Sequence, residues 1–205
     1  MMGFITRFSA RKPRGLSLLL AHALLLLSVL TCAAEISPLK AEARLGNSQV
    51  EVSARFSITL PPAAELALQN GTTLPFTYQF QLKKPRMQAW YQQVKSGFGA
   101  IATNTYRLSY HPLTRQYRVS SNGIARNFAS LEEAIQAIAT IGGWIVLKDT
   151  SVGDEPENFA GKIRLILDFD LLPKPLQINA LGNSEWRIDS DWQDLQVIAA
   201  SGGNP

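Results

Sequence analysis

Apolar and polar residues alternate with a period of two along much of the chain. The clearest case is Val50, Val52, Ala54, Phe56, Ile58 and Leu60, interleaved with Glu51, Ser53, Arg55, Ser57 and Thr59. Successive side chains on a strand point to opposite faces, so this pattern predicts a strand over 49–60 with one buried and one wet face. A preceding strand over 41–45 joins it at Gly46-Asn47, where both residues tolerate positive φ and signal a two-residue hairpin. The alternation recurs over 74–82, with Phe76, Tyr78, Phe80 and Leu82 inward. It recurs again in a hairpin of 106–110 and 116–120. There Tyr106, Leu108, Tyr110, Tyr117 and Val119 share the apolar side, and Arg107, Ser109, Gln116 and Arg118 take the other. Further strands are expected around Trp90 and over 144–148, 162–169, 177–180 and 186–188.

Two segments carry helical signals instead. Pro61 and Pro62 stop the ladder and open a short helix through Gln69, with Gly71 just past its end. Ser130-Leu131-Glu132-Glu133 is a capping box, and the helix it opens places Leu131, Ala134, Ile135 and Ile138 at core spacing, ending near Gly142-Gly143. About eight short strands and two short helices predict a mainly β fold, α+β at the margin: an antiparallel β-sandwich. It is expected as a single domain over 41–195, after a linker at 35–40 and before a frayed tail at 196–205.

The first 34 residues read differently. Arg7 to Arg14 form a basic region, Leu16 to Leu30 an apolar one, and Thr31-Cys32-Ala33-Ala34 offers small residues to a peptidase. That order is a secretory signal, which places the protein in the periplasm, or anchored to the inner membrane if the leader is retained. It also revises the charge. The formal charge of +4 arises from Arg7, Arg11, Lys12 and Arg14, and without them 16 basic residues face 16 acidic ones. No nucleic-acid partner is therefore expected, and membrane contact is expected only through an uncleaved leader. Cys32 is the single cysteine of the 205 residues, so a processed chain has no disulfide, thiolate nucleophile or thiolate metal site.

The run Leu171-Leu172-Pro173-Lys174-Pro175-Leu176-Gln177-Ile178-Asn179-Ala180, the segment Trp186-Arg187-Ile188-Asp189-Ser190-Asp191-Trp192, and the hairpin from Tyr106 to Tyr117 carry a resemblance. Together they resemble an exported bacterial family, the domain-of-unknown-function family numbered 4390, over about residues 40 to 195. The resemblance implies proteobacterial origin and, because the family's genes often neighbour one for a membrane-bound sensor kinase, a role in the cell envelope. It carries over no activity, cofactor or catalytic residue.

Several residue sets could bear chemistry. His111 is the only histidine after the leader, and Ser109 lies two residues away on the same strand face. A Ser-His-Asp triad would need both, yet there is no Gly-x-Ser-x-Gly elbow. Asp168 and Asp170 alternate with Phe169 and could form an acid–base pair, although solvated acids at a strand end are ordinary. Asp189, Asp191 and Asp194 offer oxygen ligands without the glycine and glutamate of an EF-hand loop. Arg107, Arg115 and Arg118, with Lys83, Lys84 and Arg86, could contact an anion or form the wet side of a sheet. Trp90 and Tyr91 beside Phe98 could form an exposed aromatic contact surface, whereas Trp144, Trp186 and Trp192 suit a core.

The sequence therefore favours a non-enzymatic, exported binding module of the cell envelope, with no cofactor or metal and with another envelope protein as partner. A periplasmic hydrolase and a carrier of small ligands or lipids are the alternatives, because a sandwich supports all three.

Overall fold

Paired strands account for most of the described residues, and the apolar alternation explains how they stack. The computed structural model describes residues 35–46, 48–83, 101–148, 159–180 and 186–199. Strands β1 (Glu35–Gly46) and β2 (Gln49–Thr59) form a hairpin, followed by helix α1 (Pro62–Gln69) and strand β3 (Leu74–Leu82). Strands β4 (Ile101–His111), β5 (Gln116–Ser121) and β6 (Ile124–Phe128) form a meander. Helix α2 (Leu131–Ala139) runs directly into β7 (Thr140–Leu147). Strand β8 (Gly161–Leu167) is followed by a 3-10 turn (Phe169–Leu171), helix α3 (Lys174–Ala180), β9 (Gln193–Asp194) and β10 (Gln196–Ala199).

A four-stranded sheet has the order β10-β1-β2-β7, and a six-stranded sheet the order β6-β5-β4-β3-β8-β9. Every ladder is antiparallel except β1 with β10. This is the mainly β sandwich that the alternation predicts, here unclosed, with ten strands among the described residues instead of about eight, and a third short helix.

The inward faces meet in one core. Val50, Val52, Ala54 and Phe56 from β2 join Phe76, Tyr78 and Phe80 from β3 and Ile163, Leu165 and Leu167 from β8. Phe56 and Tyr78 meet edge-on across the two sheets with ring centroids 5.8 Å apart, and Tyr106 packs on Tyr78 at the same distance. The Tyr78 hydroxyl is too deep for water and donates to the Ile138 carbonyl at 2.7 Å. That carbonyl lies in the last turn of α2, where intrahelical partners run out, so one bond satisfies both groups. Burial pushes the Tyr78 phenol far above its usual range, and the neighbouring Tyr106 adds to the effect.

Strand β1 illustrates how sequence and register interact. Ile36 and Ala41, Ala43 and Leu45 are all buried although the first sits out of step with the other three. A bulge between Pro38 and Lys40 resolves this: Pro38 pairs with Phe56 and Lys40 with Arg55, so Leu39 is extra and 64% exposed. One inserted residue reverses the facing of everything beyond it, which turns both halves of the strand inward.

Several expected boundaries move. Residues 35–40 are not a linker, because they pair with β2 through the bulge that their apolar spacing conceals. Gly46 pairs with Gln49, so it belongs to β1 rather than to the turn, and Asn47 lies outside the described residues. Helix α2 ends before Gly142-Gly143, which instead form an irregularity in β7 opposite Ser53, between the Val52–Trp144 and Ala54–Ile141 pairs. Gly143 adopts φ of +62°, and its amide donates to Ser53 Oγ at 3.2 Å. Residues 177–180 are helix rather than strand, because Pro173 and Pro175 pre-set a first helical turn and lack the amides a ladder needs. Residues 186–188 do not form a strand, although the Ile188 carbonyl accepts from the Leu167 amide at 2.7 Å. Residues 196–199 are not frayed but form β10 beside β1. The strand expected around Trp90 lies outside the described residues, as does the leader.

Candidate functional site

On β4 and β5 the inward residues Leu108, Val119, Tyr110 and Tyr117 pair directly, so their neighbours Arg107, Ser109, His111, Gln116, Arg118 and Ser120 occupy the opposite, outer face. Arg107 stands opposite Ser120 and Arg118 opposite Ser109, which makes the two arginines diagonal neighbours. On a ladder of this kind such Cα atoms lie about 7–8 Å apart. His111 is diagonal to Arg118 in turn, two pairs nearer the hairpin tip. Arg115 follows on the turn itself, held at φ of +53°. The three arginines and His111 are exposed, and none forms an ion pair with a described acid.

The tip adds shape. His111, Leu113, Thr114, Gln116, Arg118 and Asn127 line a groove of about 350 Å³, and Leu113 is 100% exposed at its rim. Behind it, on the inner side, the rings of Tyr110 and Tyr117 pack at 4.8 Å and fix the hairpin. Burial, together with the Tyr110 ring and the Glu65 carboxylate, pushes the Tyr117 phenol above its usual range. Strand β6 closes the meander through a turn at Asn122 and Gly123, both at positive φ (49° and 81°). That Asn-Gly pair is the sequence signal by which β6 could have been found.

The outer face continues across β3 and β8. Arg164 donates through Nε to Gln79 Oε1 at 2.8 Å, and Trp192 lies under both Lys162 and Arg164 with cation-to-centroid distances of 4.5 and 4.6 Å. Trp192 is thus a half-buried platform for two cations rather than core, unlike Trp186, which is buried. Thr77 Oγ1 has one proton and donates it to Asp168 Oδ2 at 3.1 Å, so its 2.9 Å contact to Thr105 is accepted from that residue.

The other expected sets are not brought together. Asp168 and Asp170 do not share a strand face: β8 ends at Leu167, and Asp168 caps the following turn by accepting from the Asp170 amide at 3.2 Å. Ser109 Oγ donates to the Arg118 carbonyl at 3.5 Å rather than to His111, and no described carboxylate bonds to His111. Asp194 is held by Lys83 Nζ at 2.6 Å, Asp189 sits in a bridge to Ile166, and no described group of three acids or histidines could hold a metal ion. Trp90, Tyr91 and Phe98 lie outside the described residues.

What sequence reasoning missed is the distribution of charge. Residues 66–131 carry eight basic residues and no acidic one, whereas the rest of 35–205 carries eight basic and sixteen acidic ones. A sum over the chain cancels these two excesses, and a count along it separates them. The β4–β6 meander lies wholly inside the acid-free stretch.

A family model described as a domain of unknown function (DUF4390) matches residues 33–196, and the chain belongs to that family. No curated protein and no solved structure matches the chain.

Proposed function

We propose that this member of the DUF4390 family is an exported protein of the cell envelope that binds an anionic partner on the outer face of its β4–β5 hairpin, without catalysing a reaction. One observation carries the reading. Arg107, Arg115 and Arg118 stand exposed and without described acidic partners on one hairpin, inside 66 consecutive residues that contain no acid. Surface cations are usually interspersed with acids, and a cluster of unpaired cations on a neutral body gathers counter-charge instead. Export rests on the basic, apolar and small-residue order of residues 1–34.

The test is crosslinking in cells with a tagged full-length chain. The proposal expects a recurrent crosslinked partner, protein or lipid, that disappears in the Arg107→Glu, Arg118→Glu double variant while the melting temperature stays within a few degrees. Capture unaffected by both substitutions would place the binding surface elsewhere.

A further inference from the structure

We propose that the anionic partner is a lipid bilayer surface, on which the β4–β5 hairpin docks with Arg115 and Arg118 against headgroup phosphates and Leu113 in the acyl boundary. This rests on the cationic-face reading above and gives that face a specific occupant.

Two independent features of the hairpin point the same way. The first is charge complementarity. Arg115 and Arg118 flank the tip, Arg107 continues the same face inward, and none of them is neutralised by a described acid. Glu65 acts on Tyr117, whose ring is on the opposite face of the hairpin from Arg107 and Arg118. Phosphate takes an arginine fork in two parallel hydrogen bonds.

The second feature is Leu113. It is fully exposed at the outermost point of a turn whose other residues, Pro112, Thr114 and Arg115, are exposed as well. Leu39, the other strongly exposed leucine of the strand hairpins, is explained by a bulge. Leu113 has no such explanation. An apolar side chain projecting between cations is what an interfacial loop needs. The charges hold it at the headgroup plane and the leucine enters the boundary beneath. An acidic protein would satisfy the arginines equally but would leave Leu113 in water unless it also supplied an apolar socket.

The experiment labels the tip. In the full chain with Cys32→Ser, Leu113→Cys carries an environment-sensitive fluorophore, so the signal reports the hairpin and not adsorption through residues 1–34. Vesicles of phosphatidylcholine with 30–40% phosphatidylglycerol should shift the emission to the blue, and pure phosphatidylcholine should not. Raising salt from about 0.05 to 0.5 M should reverse the shift, because exposed charges are then screened within a few ångströms. Each of Arg115→Gln and Arg118→Gln should weaken the response about fivefold. With the fluorophore moved to Thr114→Cys in the same Cys32→Ser chain, Leu113→Ser should weaken the vesicle response about tenfold or more.

Soluble polyphosphate serves as the second probe. If it binds in an Arg115- and Arg118-dependent manner while anionic vesicles leave the label unshifted, the cationic face stands and the bilayer inference is overturned in favour of a soluble or protein-borne anion. If neither probe responds to the arginine variants, both readings fail. Each substituted hairpin position is exposed, so an unchanged melting curve confirms that each variant is folded.

Discussion

Tyr78 shows how much one side chain can hold. Its ring joins the two sheets through Phe56, and its hydroxyl supplies the partner that the last turn of α2 lacks. Tyr78→Phe keeps the ring and leaves the Ile138 carbonyl buried without a donor, so it should cost about 1–2 kcal/mol in urea unfolding. The same hydroxyl gives stability a pH dependence. The folded-state pKa is raised, whereas in the unfolded chain the phenol ionises near about 10. Above that pH the unfolded state binds fewer protons than the native one, so stability is constant up to about pH 9 and falls beyond about pH 10. Urea midpoints from pH 8 to 11 should show that fall and should show less of it in Tyr78→Phe. Equal slopes would mean that the phenol is not as protected as its burial implies. Gly161 is constrained differently, by space. A Cβ there would lie 2.7 Å from Phe159 Cζ and 2.8 Å from Phe80 Cε2, two rings that stack with planes 7° apart. Gly161→Ala should therefore cost about 1–3 kcal/mol by forcing that stack open, measurable as a lowered melting temperature.

Among the elements, legibility followed the strength of the local pattern. Strands β2 and β3 are evident because six and four inward apolar residues alternate without interruption, and α2 because Ser130 and Glu133 define its first turn. The Ser130 hydroxyl accepts from the Glu133 amide at 3.2 Å, and the Glu133 carboxylate reaches the Ala129 amide, one residue earlier than the usual partner. Where an element departs from strict periodicity, the pattern misleads. Gly142-Gly143 looks like a helix stop, yet the chain had already turned into β7 at Thr140. The apolar positions of β1 change phase at Leu39, which gives 35–40 the look of a linker. Tertiary pairing decided both cases, and no local signal could. Deleting Leu39 tests the account of β1. Without the extra residue, Ile36 and Ala41 can no longer face the core together, and about 1.5–3 kcal/mol of Ile36 burial is lost. Amides of residues 35–37 should lose hydrogen-exchange protection while those of 41–45 keep theirs. Uniform loss would show that β1 behaves as one indivisible unit.

For the whole molecule, the telling property is how charge is divided, and it was the part of the candidate site least visible in composition. Sixteen basic residues against sixteen acidic ones in residues 35–205 look inert, so the arginines of the β4–β5 hairpin read as an ordinary wet face. The fold makes the difference, because antiparallel pairing gathers Arg107 and Arg118 onto one side of adjacent strands instead of scattering them. A body of this kind should behave at close range as a cation and at long range as a nearly neutral particle. Retention on an immobilised phosphate matrix at pH 7 separates the two descriptions. Reversing Arg107, Arg115 and Arg118 to Glu should abolish retention. Reversing Lys40, Arg44 and Arg55, which changes the net charge by the same amount in the four-stranded sheet, should reduce it only slightly. If the two triple variants elute together, retention follows net charge alone, and the hairpin has no privileged role as an anion-binding face.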